Sequence, residues 1–305
     1  MFKYYIMLLI ATILLAGNFA ITKLYQKRAG TSLKAGFLFN ILGGLFTFLF
    51  FVGANGFKIH FSFYSILMAS LFSLMLVSYT IIGFRILKNG SMALYTLFLM
   101  TGGMTVPFVW GLFFLDEEFS WLRLVGLCLL IFTVALTAFD GKRSKTAPST
   151  ILMCAVIFFL NGFTSIFSKM HQIEQSFDTV NTTEFVALTG LTKFALSAIA
   201  YVAILLIEKK KAKTDAPISE QAAEPICKAG TLIALVVIST VLSGVSYFFQ
   251  LIGASNLPAT VLYPMITGGS TLFSALVGIL IFKEKPSKVV VLSVILCFIG
   301  TLMFL

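Results

Sequence analysis

Lys193 is the side chain best placed to do chemistry in this sequence. It lies in EFVALTGLTKFALSAIAY, nine residues beyond Glu184 and inside a long apolar run. A charge at that depth is costly unless it faces a wet cavity or a partner. It would meet a carboxylate or phosphate on a substrate, or else snorkel to the nearer interface or pair with an acid at a helix end. Glu184 is too distant for direct pairing, about 13 Å along a helix at roughly 1.5 Å per residue. Two amides pose a milder version of the same question. Asn18 in LLAGNFAITK and Asn161 in FLNGFTSIFSK sit among apolar residues, where an amide needs hydrogen-bond partners from a ligand or from another helix. Tyr79, Trp110, Tyr247, Tyr263 and Gln250 carry polar tips. They are expected either on cavity walls or in packing and interfacial roles.

Other chemistry finds no residues to carry it. All 12 acidic side chains fall in loops or near the ends of apolar runs, so no carboxylate is poised at the membrane centre to carry a proton. His60 and His171 are far apart, and the 4 cysteines have no ligand spacing. The cysteines read as small buried hydrophobes. No Gly-rich loop with Lys and Ser/Thr is present to hold ATP. The expectation is a protein that is not an enzyme and uses neither metal nor cofactor.

These residues need elements to hold them. Of 305 residues, 59% are hydrophobic and 11% charged, and 33 are Phe. Mean hydropathy is +1.00. A soluble domain carries about 25% charged residues, so this chain cannot cover a water-facing surface. A spanning helix takes roughly 20 apolar residues. Ten runs fit, near 4–24, 34–54, 62–84, 92–114, 121–139, 149–169, 184–207, 229–252, 258–282 and 288–305. The runs lack the alternation of a membrane barrel. The fold class is therefore an all-α polytopic membrane protein with ten transmembrane helices. The segment 140–148 reads as a linker, and 208–228 as the one extended loop.

The net charge of +10 is scattered over loops, so it does not describe a nucleic-acid surface. Its placement is one-sided. Connections after runs 1, 3, 5, 7 and 9 hold nearly all the Lys and Arg, while the other side holds Lys3, Lys58, Arg123 and Lys169. The positive-inside rule puts the basic connections in the cytoplasm and both termini outside.

The chain also repeats itself. At a constant offset of 166, Thr101, Gly102 and Gly103 fall on Thr267, Gly268 and Gly269, Thr105 falls on Thr271, and Glu118 on Glu284. The expected domains are five-helix repeats at 1–140 and 148–305. Five is odd, so the second half would enter the membrane inverted, an arrangement used for alternating access with a site near the midplane. The paired glycines permit close helix packing, or local unwinding that frees backbone groups. Pro107 and Pro264 are placed to bend the helices beside them. Glu118 and Glu284, at helix ends, are expected to cap or brace the helix that follows each of them.

With these features the sequence resembles the drug/metabolite transporter superfamily, in particular the EamA-type ten-helix carriers. The segments LDEEFSWLRLVGLCLLIFTVAL (115–136) and FKEKPSKVVVLSVILCFIGTLMFL (282–305) are similar to that family's recurrent Glu loop and the apolar, Gly-containing helix after it. The resemblance covers essentially the whole chain. It implies a carrier related to exporters of metabolites, nucleotide sugars and small drugs. Small multidrug transporters couple protons through a Glu in their first helix, where this chain has Asn18.

The resulting expectation is a monomeric secondary transporter in the bacterial plasma membrane, exporting or exchanging a small polar metabolite such as an amino acid. Its partners are that substrate and the lipid bilayer, with the coupling ion unassigned and no nucleic acid. The alternatives are a multidrug exporter, which calls for a broad aromatic cavity, and a scaffold or receptor-like protein, which calls for none.

Overall fold

A computed structural model describes residues 2–30, 32–88, 92–138, 148–214, 229–280, 283 and 287–305. Among these residues the chain forms ten helices and no strand. They are α1 (Phe2–Ala29), α2 (Leu33–Ala54), α3 (Phe63–Lys88), α4 (Met92–Phe114), α5 (Trp121–Ala138), α6 (Pro148–Ile173), α7 (Thr182–Thr214), α8 (Ala229–Asn256), α9 (Ala259–Leu280) and α10 (Lys288–Leu302). Eight of them are long and apolar enough to cross a membrane, while α5 and α10 are apolar but shorter. With about 1.5 Å of rise per residue, the 28 residues of α1 exceed a hydrocarbon core of roughly 30 Å.

Helices α1, α6, α7 and α8 outrun the apolar segments read from the sequence. Beyond Ile207 the α7 helix continues over Glu208 and the lysines to Thr214. Lys, Glu and Ala are good helix formers, so nothing there breaks the backbone ladder when the apolar run ends. Helix α1 stops where Gly30 takes a positive φ of 82°, the usual left-handed helix terminus.

The burial pattern suits a bilayer. Phe2, Phe63, Phe113, Trp121 and Leu280 are among the large apolar side chains on the outer face, and in hydrocarbon that face is the solvated one. The interior holds many hydroxyls, among them Ser65, Ser73, Thr189, Ser197 and Ser246. Helix α1 packs along α8, α2 along α7, and α6 lies between α3 and α4. Helix α9 touches α1 and α4, and α5 pairs with α10.

Close crossings are built on glycine. A Cβ on Gly44 would lie 2.7 Å from the Phe194 backbone nitrogen, and one on Gly190 would lie 2.7 Å from that of Phe48. Backbone therefore meets backbone where α2 crosses α7. Gly126 of α5 packs against Gly300 of α10 and against Met303, which caps that helix. An early glycine meets a late one because the two helices run antiparallel.

Candidate functional site

A cavity of about 460 Å³ occupies the middle of the bundle. Helices α1–α4 and α6–α9 line it, and α5 and α10 do not. Seven of the eight side chains singled out as binding candidates share its wall: Asn18, Tyr79, Asn161, Lys193, Tyr247, Gln250 and Tyr263. Trp110 does not. Its ring stacks on Phe114 at 4.1 Å, and its buried indole N–H has no partner among the described residues.

The polar groups on the wall are partly committed. Asn18 Oδ1 accepts from Ser239 Oγ at 2.5 Å, and its amide NH₂ has no partner among the described residues. Asn161 Nδ2 donates to the Leu99 carbonyl at 2.7 Å. Tyr263 donates its hydroxyl proton to the Ser165 carbonyl at 2.5 Å, and Tyr247 shares a 2.8 Å hydrogen bond with Ser168. Gln250 Nε2 donates to Ser246 Oγ at 3.0 Å. All but the Gln250 bond, which stays within α8, cross between helices, as amides and hydroxyls in hydrocarbon require.

Both prolines lie inside their helices, Pro107 in α4 and Pro264 in α9. Proline has no N–H, so the carbonyl four residues earlier loses its helical donor. For Pro107 that carbonyl is Gly103, and Ser165 Oγ of α6 reaches it at 3.4 Å. Each glycine of the repeated motif sits at a tight contact. A Cβ on Gly102 would fall 2.1 Å from the Phe158 carbonyl oxygen, on Gly103 2.6 Å from Asn161 Nδ2, on Gly268 2.5 Å from Thr301 Oγ1, and on Gly269 2.7 Å from Thr12. Gly103 also lines the cavity.

One end of the bundle is held by a polar network that sequence reasoning did not find. Lys169, read from the sequence as a loop charge, is buried. Its Nζ donates to the carbonyls of Ala254 at 2.6 Å and Leu257 at 2.7 Å. The reason is local: residue 258 is proline, so Ala254, four residues earlier, has no backbone donor to receive. The lysine supplies the missing hydrogen at the C-terminal end of α8, where a cation also suits the helix dipole.

The start of α9 is held in the opposite sense. Glu117 accepts from the Ala259 N–H at 2.5 Å and the Thr260 N–H at 2.8 Å. These are unpaired N–H groups of a helix N-terminus, and a carboxylate is their natural acceptor. The expectation had put helix bracing on Glu118. Glu118 is exposed, and the bracing carboxylate is its neighbour Glu117, acting on α9 and not on the helix that follows it. Glu284 lies outside the described residues. Glu117→Ala should cost about 2 kcal/mol of stability, since two buried N–H groups lose their acceptors. Glu117→Gln should recover about half of that, and Glu118→Ala should change stability by less than about 0.5 kcal/mol. Thermal unfolding in detergent measures all three.

The same end ties α2 to α7. Glu184, only 2% exposed, forms a reciprocal capping box with Asn181 at the start of α7. Its Oε1 also accepts from Asn55 at 3.1 Å and the His60 N–H at 3.2 Å, and lies 2.7 Å from His60 Nδ1. Ser62 donates to the Asp178 carbonyl. His171 is buried, bonded to Ser65 at 2.8 Å and stacked 3.6 Å from the Phe185 ring. In the connection between α6 and α7, the backbone N–H of Ser176 heads several donors that hold the Glu174 carboxyl below its usual range. At the other end Lys34 and Glu208 pair at 2.7 Å, half exposed.

Among the described residues no group of His, Cys, Asp and Glu is placed to hold a metal. Cys154 and Cys297 are buried as expected, but Cys128 is exposed, on the outer face of α5. Cys227 lies outside the described residues.

Known proteins resemble this arrangement at different depths. Comparison with curated proteins gives no match, while 28 chains of solved structures do match. One, a crystal structure of a protein, aligns with a TM-score of 0.76 over 99% of this chain and 96% of its own, at 15% identity. Likeness at that identity speaks for the fold alone. The EamA-like transporter family matches residues 148–305, more than half of the chain. Together with ten helices, eight of them around a central cavity, this match settles the family: the chain belongs to the EamA-like transporter family, membrane proteins that carry small molecules.

Proposed function

We propose that the protein is a secondary transporter, an exporter or exchanger, that moves a small polar metabolite such as an amino acid by alternating access. The observation that carries this reading is the central cavity, where side chains from eight helices converge on about 460 Å³ of space. Asn18, Asn161, Lys193, Tyr79, Gln250, Tyr247 and Tyr263 are its substrate contacts. The moving bodies are the halves 1–140 and 148–305.

Helix neighbours support two inverted halves. Exchange each helix of the first half for its counterpart in the second. The α1–α8 pair then becomes α6–α3, α1–α9 becomes α6–α4, and α2–α8 becomes α7–α3, and all of these pairs pack. The pairs α2–α7, α4–α9 and α5–α10 map onto themselves. Gly103 and Gly269 obey the same exchange, one against Asn161 of α6 and the other against Thr12 of α1. Such pseudo-symmetry is what lets one set of helices rock between two equivalent arrangements. The positive-inside rule places the basic connections in the cytoplasm of a bacterial cell, with both termini outside.

One observation favours a second reading. Five aromatic rings, Phe19, Phe72, Tyr79, Tyr247 and Tyr263, stand on the cavity wall, which suits an exported amphipathic compound. Counterflow in reconstituted vesicles tests both. The expected result is uptake of a labelled metabolite against an internal pool of the same compound. If a folded, reconstituted protein exchanges no compound of either kind, the transporter reading fails.

A further inference from the structure

Lys193 is the one charged side chain on the cavity wall among the described residues. Its ammonium projects from α7 toward α2 and α8. Nζ lies 3.8 Å from the position of a Cβ on Gly43, and Thr240 Oγ1 lies 3.5 Å from the same point. No hydrogen bond or ion pair holds it among the described residues. The contrast with Lys169, which donates to two carbonyls, is direct. Nor is an acid in reserve, because Glu184, Glu117 and Glu208 are engaged at the helix ends.

The rest of the wall offers spare donors on the same scale. The amide NH₂ of Asn18 has no hydrogen-bond partner among the described residues, where the Ser239 bond takes only its oxygen. The Tyr79 hydroxyl has no hydrogen-bond partner among the described residues, yet it is not sealed away from the cavity. An ammonium, an amide NH₂ and a phenol together call for a ligand rich in acceptors. Charge decides which one. Closing a cavity strips water from its charges, and an unpaired cation in low dielectric is strongly unfavourable. A single negative charge brings this cavity to neutrality, whereas a dianion leaves an excess and a cation adds to the repulsion.

We infer that the cavity takes a small organic monocarboxylate, with its carboxylate against Lys193 and its body along the aromatic walls. The inference rests on the transporter reading and names the substrate class of that same site. The loaded cavity is neutral and closes readily, while the empty one keeps a bare cation. Exchange of one carboxylate for another is therefore faster than net flux.

The test uses the purified full-length chain and pairs of compounds that differ only in charge: lactate with lactamide and benzoate with benzamide, alongside inorganic phosphate and choline. Ligand-induced thermal stabilisation in detergent gives the affinities. At least one carboxylate should bind about tenfold or more tightly than its amide, a difference near 1.4 kcal/mol. Lys193→Arg should retain that preference, and Lys193→Gln and Lys193→Met should abolish it in protein that still elutes as the folded monodisperse species. Equal binding of acid and amide overturns the inference. So does a preference that survives in Lys193→Gln, or a panel in which no carboxylate binds at millimolar concentration. Vesicles that exchange some other compound, unaffected by Lys193→Gln, leave the transporter standing and remove the carboxylate. Vesicles that exchange nothing remove the transporter itself.

Discussion

Lys169→Met should destabilise the protein by roughly 3 kcal/mol or more, because two buried carbonyls lose the ammonium that donates to both and each such loss costs about 1–3 kcal/mol. Methionine preserves the length and apolar stem of the side chain, so the effect isolates the ammonium. Ala254 cannot recover a partner from its own helix, since Pro258 occupies the donor position. The end of α8 should fray and the α8–α9 turn should lose its register against α6. That turn carries Ala254 of the cavity wall and leads into α9, which supplies Tyr263, Ile266 and Thr267. Transport should therefore fall together with stability. A thermal-unfolding midpoint equal to that of the unaltered protein would show that Lys169 does not hold this turn. Lys169→Arg keeps the charge but misplaces its donors, and should fall between the two.

Gly44→Ala should cost about 3 kcal/mol, the upper end of overpacking penalties. The added methyl group would meet the Phe194 nitrogen at 2.7 Å and the Gly190 carbonyl at 2.8 Å. These are backbone atoms, so no side-chain rotation relieves the clash. The α2 and α7 helices must separate, although both their ends are tied, by Glu184 to Asn55 and His60 and by Glu208 to Lys34. Thr47 and Lys193 flank the crossing and line the cavity, so a transport assay should register the change as well. Gly53→Ala is the control: no atom lies within 4 Å of its Cβ position, and alanine there should be neutral or slightly stabilising. Expression with size-exclusion profiles and unfolding midpoints compares the two. Equal midpoints would mean that the crossing is looser than its geometry.

Helix existence and order were legible because hydropathy is a local quantity. A run of apolar residues long enough for the bilayer must satisfy its own backbone, and a helix does so alone. Where the expected ends fell short, as at α7, the helix ran on through polar helix formers that hydropathy does not count. The binding candidates were legible by exclusion. In a chain with 11% charged residues, a lysine or amide inside an apolar run is rare enough to stand out, and seven of those eight candidates meet on one wall. Trp110 did not, because an aromatic ring is equally at home in packing, and periodicity cannot say which way α4 is rotated.

Lys169 and Glu117 were missed for a related reason. Both lie near helix ends, where a charge ordinarily reads as a solvated terminus. Their meaning comes from groups 85 to 143 residues away in the chain. Pro258 was the available signal, since it announces an orphan carbonyl at Ala254, but nothing local says which side chain answers it. The sequence by itself determined the solvent, the ten helices and the short roster of polar groups inside them, because each follows from transfer energies summed along a single segment. Only the tertiary structure decided which of those groups meet. Helix rotation and crossing are set by backbone contacts such as Gly44 with Phe194, and these contacts leave Lys193 facing open space while Lys169 is tied down.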